Sequence, residues 1–197
     1  GSEMCIRDSV CGGESKGGKH AYMLLEECVP PVPDITKDEA LARLARNYFR
    51  SHTPATLQDF VWWSGLSVTE AKQGIYLIGS ELTEEQWKGQ TWYLHESGRT
   101  RGSIKGHIRF LPPYDELLLG YKDRTDVLPS EHCSKAFTGN GLFFPVILYE
   151  GQIVGNWDRK VKRNGCGPGY SLFRQESRID EALLDKAQQQ YMQFLGK

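Results

Sequence analysis

The feature that most constrains this sequence is a helix-start signal that recurs between residues 36 and 77. In each copy a Ser or Thr is followed three residues later by an acidic residue. At this spacing the two side chains cap each other's backbone N–H groups at a helix N-terminus. The pairs are Thr36 with Glu39, Thr56 with Asp59, and Ser67 with Glu70. The signal predicts three consecutive short helices.

The first helix is predicted over residues 36–52, with apolar side chains at the three- and four-residue spacing of one buried face. That face comprises Leu41, Leu44, Ala45, Tyr48 and Phe49. Gly65 is expected to end the second helix as a left-handed cap, and the third helix is expected to run to about Leu77. Because only a tight turn separates the last two helices, the segment is predicted to be a helix-turn-helix.

A strand pair is predicted after the helices, from the turn signal Lys88-Gly89 and the alternation of Trp92 with Leu94. A helix-turn-helix followed by a small hairpin is a winged helix. The adjacent Trp62 and Trp63 point about 100° apart on the second helix. One ring is expected in the three-helix core and the other against the hairpin or the next domain. We interpret both as packing residues, with base stacking as the alternative.

The N-terminal segment contains the glycine-rich run "GGESKGGK" at residues 12–19. Its letters match the patterns G-x-S-x-G and G-x-x-x-x-G-K. Both motifs require a preceding strand and a following helix, and that context is missing here. The run is predicted to be a turn, with "HAYMLLEECV" as the returning strand and "PPVP" as a linker. Because a lone hairpin is barely stable in water, it is expected to pack on something else. Gly1-Ser2 is interpreted as a tag scar and "EMCIRDS" as read-through, so a longer natural protein is expected.

Strand patterns dominate the second half of the chain. Leu142–Tyr149 and Gln152–Val161 are predicted to form a hairpin, with Pro145 at an edge or bulge. "GYSLFR" adds a strand, and residues 130–136 form a short helix. A final helix is expected to be capped by Ser177 with Asp180 and to reach Leu195, where Gly196 ends it. Its apolar side is predicted to hold Leu183, Ala187, Tyr191 and Phe194.

The predicted fold class is therefore α+β: a winged helix-turn-helix, then a small C-terminal β-barrel or a curled antiparallel sheet with a closing helix. Residues 1–33 are assigned to the tag, the read-through, the hairpin and the linker. Residues 34–98 are assigned to the winged helix and residues 99–197 to the barrel-like domain.

The composition excludes several classes of protein. No apolar run approaches the roughly 18 residues of a membrane span, so no membrane partner is expected. Five cysteines without C-x-x-C argue against a disulfide framework or a zinc site, and reduced thiols fit a cytoplasmic protein. No metal or cofactor is predicted. Because the formal net charge is −1, binding to nucleic acid must come from local basic clusters.

Such clusters occur around residues 99–109 and around residues 159–163. The third helix exposes Lys72 and Gln73 beside Glu70, so it is expected to bind DNA weakly by itself. The candidate DNA-binding residues are Lys72, Gln73, Arg99, Arg101, Lys105, Arg109, Arg159, Lys160, Lys162 and Arg163. Phosphate contacts would position the protein without reading sequence. The alternative is a solvated strand edge that is kept basic against aggregation.

Three segments carry a family resemblance: "DEALARLARNYFRSHTPATLQDFVWWSGLSVTEAKQGI", "FLPPYDELLLGYKDRTDVL" and "FFPVILYEGQIVGNWDRK". From about Tyr22 to about Lys162, the chain resembles bacterial winged-helix DNA-binding domain-containing proteins, the superfamily of the AlkZ-like DNA glycosylases. The resemblance implies tandem winged helices followed by a C-terminal β-barrel. It also implies that "GGKHAYMLLEECVPP" is the wing of a preceding winged helix.

Glycosylases of this family carry a glutamine–apolar–glutamine or glutamine–apolar–aspartate motif in an N-terminal winged helix, and this chain is expected to begin after that region. Gln188-Gln189-Gln190 has a polar middle residue on the final helix, so no catalytic residue is assigned. No nucleophile–base pair emerges. The segment Tyr114-Asp115-Glu116 is interpreted as serving packing and hydrogen bonding at an interdomain seam.

Two functions are carried forward. The first is the DNA-binding C-terminal portion of a glycosylase that repairs alkylated or crosslinked bases and binds double-stranded DNA weakly through phosphates. The second is a winged-helix protein-interaction or regulatory module without catalysis. The oligomeric state is left open.

Overall fold

The structure is a computed structural model that describes residues 9–14, 20–31, 33–98, 102–161, 167–174 and 179–196. It divides into two compact units, Gly1–Lys37 and Asp38–Lys197. The first unit contains strands β1 (Ser9–Glu14) and β2 (His20–Leu24) and one helical turn, α1 (Leu25–Cys28).

Strands β1 and β2 pair in antiparallel fashion, with Ser9 opposite Leu24, which confirms the predicted strand pair. The returning strand is shorter than predicted. It ends at Leu24, because the next four residues form α1, in which the Val29 N–H donates to the Leu25 carbonyl at 2.8 Å. Two adjacent glutamates in this turn disfavour a longer strand. The glycine-rich residues 15–19 lie outside the described part of the chain.

Three helices follow: α2 (Lys37–Ser51), α3 (Leu57–Ser64) and α4 (Val68–Leu77). The two short helices have the predicted caps. Thr56 and Asp59 bond reciprocally at the start of α3, and Ser67 and Glu70 do so at the start of α4. Gly65, at φ 69°, is the left-handed residue that ends α3, as predicted.

An apolar core joins these helices. The predicted face of α2 lies in it, with Ala45, Tyr48 and Phe49 fully buried. Phe60 from α3 and Ile75 from α4 complete the contact. Because α3 and α4 are too short to be stable alone, their burial against α2 is what maintains them.

Gly74 lets α4 approach α2 closely. A Cβ atom at this position would lie 3.1 Å from the Leu41 carbonyl oxygen and 3.3 Å from the Ala45 Cβ. A larger side chain would therefore push the helices apart.

A three-stranded antiparallel sheet accompanies the helices, in the order β3 (Ala55–Thr56), β5 (Gln90–His95), β4 (Leu82–Trp87). The predicted turn at Lys88 and Gly89 is confirmed, with φ values of 51° and 72°. Strand β3 was not predicted, since two residues are too few to show an alternating pattern.

The rest of the second unit is built on a four-stranded antiparallel sheet in the order β6-β7-β8-β9. Its strands are β6 (Ile108–Leu111), β7 (Val146–Tyr149), β8 (Gln152–Val161) and β9 (Pro168–Leu172). Two short helices, α5 (Glu116–Leu119) and α6 (Cys133–Ala136), and a closing helix, α7 (Glu181–Phe194), accompany it. The short helix predicted over residues 130–136 is confirmed as a 3-10 turn, Ser130–His132, that continues into α6.

This sheet is not a closed barrel in the described part of the chain, because β6 and β9 are its edges and do not pair with each other. The barrel alternative is therefore corrected to an open antiparallel sheet. Helix α7 packs against β6, where Leu184 and Ala187 lie in one core with Ile108, Ile147 and Trp157. A second core on this sheet contains Leu118, Leu128, Ala136, Val146 and Ile153.

Two details of the predicted second half are wrong. Strand β7 begins at Val146 rather than Leu142, because Pro145 has no N–H, and Phe143 instead forms an isolated bridge with Phe137. On α7, Phe194 is 84% exposed near the helix end, whereas Leu184 is buried.

The start of α7 is capped by Asp180, whose side chain accepts the Ala182 N–H at 3.0 Å. The predicted partner, Ser177, lies outside the described residues. Gly196, at φ 69°, follows the helix as expected.

Long-range hydrogen bonds connect the helices to the segment that follows β6. The Tyr48 hydroxyl donates to the Gly120 carbonyl at 2.8 Å, and the Lys122 N–H donates to Asp59 Oδ1 at 2.8 Å. Burial raises the pKa of Tyr48 far above its ordinary value, so this hydroxyl stays protonated and donates.

Glu116 belongs to the same seam. Its Oε1 accepts the indole N–H of Trp63 at 2.6 Å and lies 3.1 Å from His52 Nε2, while Asp115 caps α5. The hydrogen-bonding role expected for Asp115 and Glu116 is therefore confirmed. Tyr114, which was expected in the same seam, is 51% exposed, with its ring centre 5.9 Å from that of Phe143.

We predict that Asp59→Ala lowers the free energy of unfolding by about 2–4 kcal/mol, because the 3%-exposed carboxylate satisfies Thr56 N, Thr56 Oγ1 and Lys122 N. Urea unfolding of the purified chain measures the change. The control is Asp126→Ala, which removes an exposed ion pair with Lys88 and should cost less than about 1 kcal/mol. Equal losses in the two variants would contradict the prediction.

Candidate nucleic-acid interface

Helix α4 presents a polar and aromatic face to solvent. Thr69, Lys72 and Tyr76 recur there at three- and four-residue spacing and are exposed, while Ala71, Gly74 and Ile75 on the opposite face are buried. Of the predicted candidates on this helix, Lys72 is thus exposed and Gln73 is partly exposed. Glu70, which was expected to offset Lys72, bonds through its carboxylate to Ser67 N and Oγ in the helix cap.

Tyr76 was not identified from the sequence, although it is 79% exposed. Its place four residues after Lys72 was the signal that could have found it, because residues at this spacing are neighbours on a helix surface. The exposed face of α4 therefore combines one lysine with one aromatic ring.

A basic edge forms where β6 meets α7. Lys105 lies in an exposed turn and Arg109 is exposed on β6. Glu150 holds this turn by accepting the Gly106 N–H at 2.7 Å. A cavity of about 180 Å³ opens beside it, lined by Gly106, His107, Ile108, Arg109, Leu183, Lys186, Ala187 and Gln190. No acidic residue appears among these lining residues, so the edge favours an anion.

Lys186 joins this edge and was missed from the sequence, since α7 lies about 80 residues further along the chain. We define the basic edge as Lys105, Arg109 and Lys186. Lys186 lies near β6 because α7 packs against that strand. The apolar periodicity of α7 does not indicate which strand the helix packs against.

The structure does not gather all the predicted cations in one place. Arg99, Arg101, Lys162 and Arg163 lie outside the described residues. Arg159 and Lys160 are on β8, but their side chains are also outside the described part.

The strand register separates Arg159 from the basic edge. Arg109 is opposite Leu148, which is opposite Ile153. From Ile153, Arg159 is six residues further along β8, or about 20 Å at the rise of a strand. The clusters around residues 105–109 and 159–160 therefore occupy opposite ends of the sheet.

Arg46 on α2 is less available than its position suggests. Its guanidinium bonds to both carboxylate oxygens of Glu81, at 2.7–3.0 Å, beside the buried His95. The hydrogen bonds from Arg46 lower the pKa of Glu81 below its ordinary value. This pairing neutralises Arg46 at neutral pH, while the exposed Arg50 lines the adjacent cavity.

Lys88, at the tip of the β4–β5 hairpin, is also held in an ion pair. Lys88 Nζ lies 2.5 Å from Asp126 Oδ1 and 4.1 Å from the centre of the Trp87 ring. The hairpin, the start of α3 and residues 122–126 border a recess of about 660 Å³ that contains charges of both signs. The mixed charge distinguishes this recess from the basic edge.

The two tryptophans have different surroundings. Trp63 packs 5.0 Å from Tyr48 between ring centres and donates to Glu116. Trp62 is 53% exposed and lies beside Arg124. The packing interpretation is confirmed for Trp63, while half of the Trp62 side chain remains in solvent.

Gln188 and Gln190 have separate environments. Gln188 donates to the Pro168 carbonyl at 2.6 Å, and Gln190 lines the cavity of the basic edge. Among the described residues, no cluster of three or more His, Cys, Asp or Glu could hold a metal ion. The described helices include none with the length and apolar character needed to cross a bilayer.

The second unit thus combines helices, a hairpin and an open antiparallel sheet, with a basic edge where β6 meets α7. A sequence model described as DNA glycosylase AlkZ-like matches residues 4–194. The chain belongs to the AlkZ-like DNA glycosylase family, as its resemblance implied.

Two relatives from Streptomyces sahachiroi define the similarity further. The chain is 27% identical over 165 residues to an interstrand DNA cross-link repair glycosylase, a match that covers 77% of this chain and 43% of the relative. The solved structure of the DNA glycosylase AlkZ has a TM-score of 0.76 and 23% identity, over 93% of this chain and 51% of that chain. The second match shows a shared fold, and the chain spans about half the length of these relatives.

We predict that Glu81→Gln lowers the thermal midpoint at neutral pH because it removes the ionic partner of Arg46. Since the folded-state pKa of Glu81 is depressed, the pair stabilises the protein above the unfolded-state pKa, and its contribution is lost as the pH falls through the folded-state pKa. The difference between variant and wild type should therefore shrink on acidification. Thermal unfolding across a pH series measures it.

The matched control is Glu85→Gln, which removes an exposed charge from the same hairpin. It should have little effect on the midpoint at neutral pH. A Glu81→Gln difference that is constant with pH would contradict the role assigned to the ion pair.

Proposed function

We propose that this chain supplies a DNA-binding portion of an AlkZ-like glycosylase that repairs alkylated or crosslinked bases. The observation that carries the proposal is the basic edge, where Arg109 and Lys186 line a cavity without an acidic lining residue and Lys105 lies in the adjacent exposed turn. Such an edge neutralises phosphates, which is the main source of sequence-independent affinity for DNA. Membership of a DNA glycosylase family supports DNA as the polyanion.

Within this proposal, residues 34–98 form a winged helix. The strand order β3-β5-β4 and the tight turn between α3 and α4 support this assignment. Helix α4 would then enter the major groove with Lys72, Gln73 and Tyr76, as the second helix of a helix-turn-helix does. Residues 99–197 form the second domain, which supplies the basic edge.

The other predicted cations extend the proposed surface. Arg99 and Arg101 precede the basic edge along the chain. Arg159 and Lys160 lie on β8 at the opposite end of the sheet, Lys162 and Arg163 follow them in sequence, and these four cations are the proposed second phosphate-binding cluster. Two clusters on one sheet would contact separate stretches of a double-stranded backbone and fix the orientation of the protein without reading bases.

Hydrolysis of the N-glycosidic bond is proposed to depend on a glutamine motif outside this chain. Gln188 is engaged with a backbone carbonyl, and the middle residue of Gln188-Gln189-Gln190 is polar. The chain alone is therefore expected to bind DNA and to release no base.

A second candidate function is a protein-interaction or regulatory module. The exposed face of α4 favours this function, because its one lysine lies there beside the 79%-exposed Tyr76 and the exposed apolar side chain of Val68. An aromatic residue on a weakly charged helix is typical of protein contacts as well as of DNA contacts.

We predict that the chain binds duplex DNA with an affinity that falls steeply as salt rises from roughly 50 to 200 mM. Combined replacement of Lys105, Arg109 and Lys186 by Ala should weaken binding, and the slope of log affinity against log salt should fall by about 0.9 for each phosphate contact removed. Fluorescence anisotropy with a labelled duplex measures both quantities.

Lys135→Ala is the control, because Lys135 is exposed on α6 and outside the basic edge. Its salt slope should match that of the wild type. If the triple variant also binds as the wild type does, the basic edge makes no DNA contact, and the protein-interaction function becomes the better account.

A further inference from the structure

An exposed strip of aromatic rings surrounds one arginine on the second unit. We define the aromatic strip as Trp62, Arg124, Phe143 and Tyr114. The Arg124 Cζ lies 5.6 Å from the Trp62 ring centre and 5.8 Å from that of Phe143, and the Phe143 and Tyr114 ring centres are 5.9 Å apart. Trp62 and Tyr114, at the two ends, are 53% and 51% exposed.

The arginine in this strip is held in a fixed orientation. Its Nε donates to the Leu118 carbonyl and its Nη1 donates to the Lys122 carbonyl at 3.2 Å. The ring of Phe137 lies 5.3 Å from its Cζ on the core side. Within the described residues, Nη2 is buried and has no hydrogen-bond partner. The guanidinium is thus a positioned cation against aromatic faces, not a mobile surface charge.

Tyr114 has an unusual backbone conformation. Its φ of 59° is in the left-handed region, which is uncommon and strained for a residue with a bulky side chain. Asp115 begins α5 immediately afterwards, with its side chain bonded to Leu117 N. A strained residue whose side chain remains half in solvent is better explained by a ligand than by packing.

We propose that the aromatic strip binds unpaired nucleobases of DNA, which stack on Trp62 and Tyr114 on either side of Arg124. This inference deepens the proposed DNA-binding function and rests on it. It assigns a site for bases, whereas the basic edge contacts phosphates.

The chemistry of the strip selects unpaired DNA over a duplex. In a duplex the base faces are covered by neighbouring bases, and a protein reaches only their edges. A flat aromatic ring needs an open base face, which is available in a gap, a frayed end or an opened lesion site. Stacking on aromatic rings tolerates any base, and a nearby arginine adds cation–π attraction.

The charges in the strip agree with this ligand. Its one charged member is the cation Arg124. The carboxylates that act on its charge are Asp59, which accepts from Thr56 and Lys122, and Asp123, which accepts from Thr125.

The test compares two labelled DNA duplexes of the same length, one fully paired and one interrupted by a short single-stranded gap, at constant salt. The wild-type chain should bind the gapped duplex more tightly. Trp62→Ala should weaken binding to the gapped duplex by roughly five- to hundredfold, the range for loss of one stacked base, and leave the paired duplex unchanged. Tyr114→Ala should act in the same direction.

Two further variants separate stacking from general damage to the fold. Trp62→Phe keeps a flat ring and should retain most of the preference for the gap. Phe194→Ala removes a more exposed ring outside the strip and should change neither affinity. Thermal unfolding of each variant checks that the chain remains folded.

The outcomes distinguish this inference from the function on which it rests. If the paired duplex binds with the expected salt dependence but Trp62→Ala and Trp62→Phe both match the wild type on the gapped duplex, the aromatic strip is not a base site. The strip would then be a surface that another polypeptide covers. If the chain binds neither duplex, the proposed DNA-binding function is wrong, and the inference that rests on it is wrong as well. Equal weakening of both duplexes by Trp62→Ala would also overturn the stacking site.

Discussion

The carboxylate of Asp59 is the interaction on which the second unit depends most. One oxygen completes the capping box with Thr56 at the start of α3, and the other accepts the N–H of Lys122, which is 63 residues away in sequence. A helix cap that also anchors a distant loop couples local structure to the tertiary fold. Because the group is buried and satisfied by three donors, it resists replacement by any neutral side chain.

This anchor positions the surfaces to which function is assigned. Lys122 follows Tyr121 and precedes the loop that carries Arg124, so the bond to Asp59 sets where Arg124 meets Trp62. The Glu116 carboxylate extends the same seam through Trp63 and His52, and Gly120 lies so close to His52 that a Cβ atom would be 2.4 Å from its ring. The helices and the open sheet consequently present the exposed face of α4, the basic edge and the aromatic strip as parts of one unit.

The sequence was informative wherever structure is set by neighbours along the chain. The capping pairs at Thr56 and Ser67, the glycine at position 65 and the Lys88-Gly89 turn act over two to four residues, and each appears in the structure as predicted. Which side chains are buried depends instead on tertiary packing, which the local sequence does not specify. Phe194 follows the apolar spacing of α7, yet it lies beyond the end of the surface that α7 covers and stays in solvent.

In the candidate site, too, local features could be predicted from the sequence and contacts between distant elements could not. The exposure of Lys72 and Arg109 could be predicted from local pattern, because it depends on the phase of one helix and on one strand face. The partnership of Arg109 with Lys186, and that of Trp62 with Arg124, could not, because each pair is joined by contacts between distant elements. Strands β3 and β6 were missed for a related reason: two to four residues carry too little periodicity to mark a strand.

The central structural claim is that the helices and the open sheet of residues 38–197 form a single cooperative body, even though the architecture changes near residue 98. Native-state hydrogen exchange tests it most directly, since it gives an opening free energy for each protected amide. The account predicts equal values for core amides on both sides of that boundary, such as Phe49 and Phe60 in the helices and Ile147 and Ile153 in the sheet. A difference of more than about 2 kcal/mol between the two groups would show that they open separately and would contradict the claim.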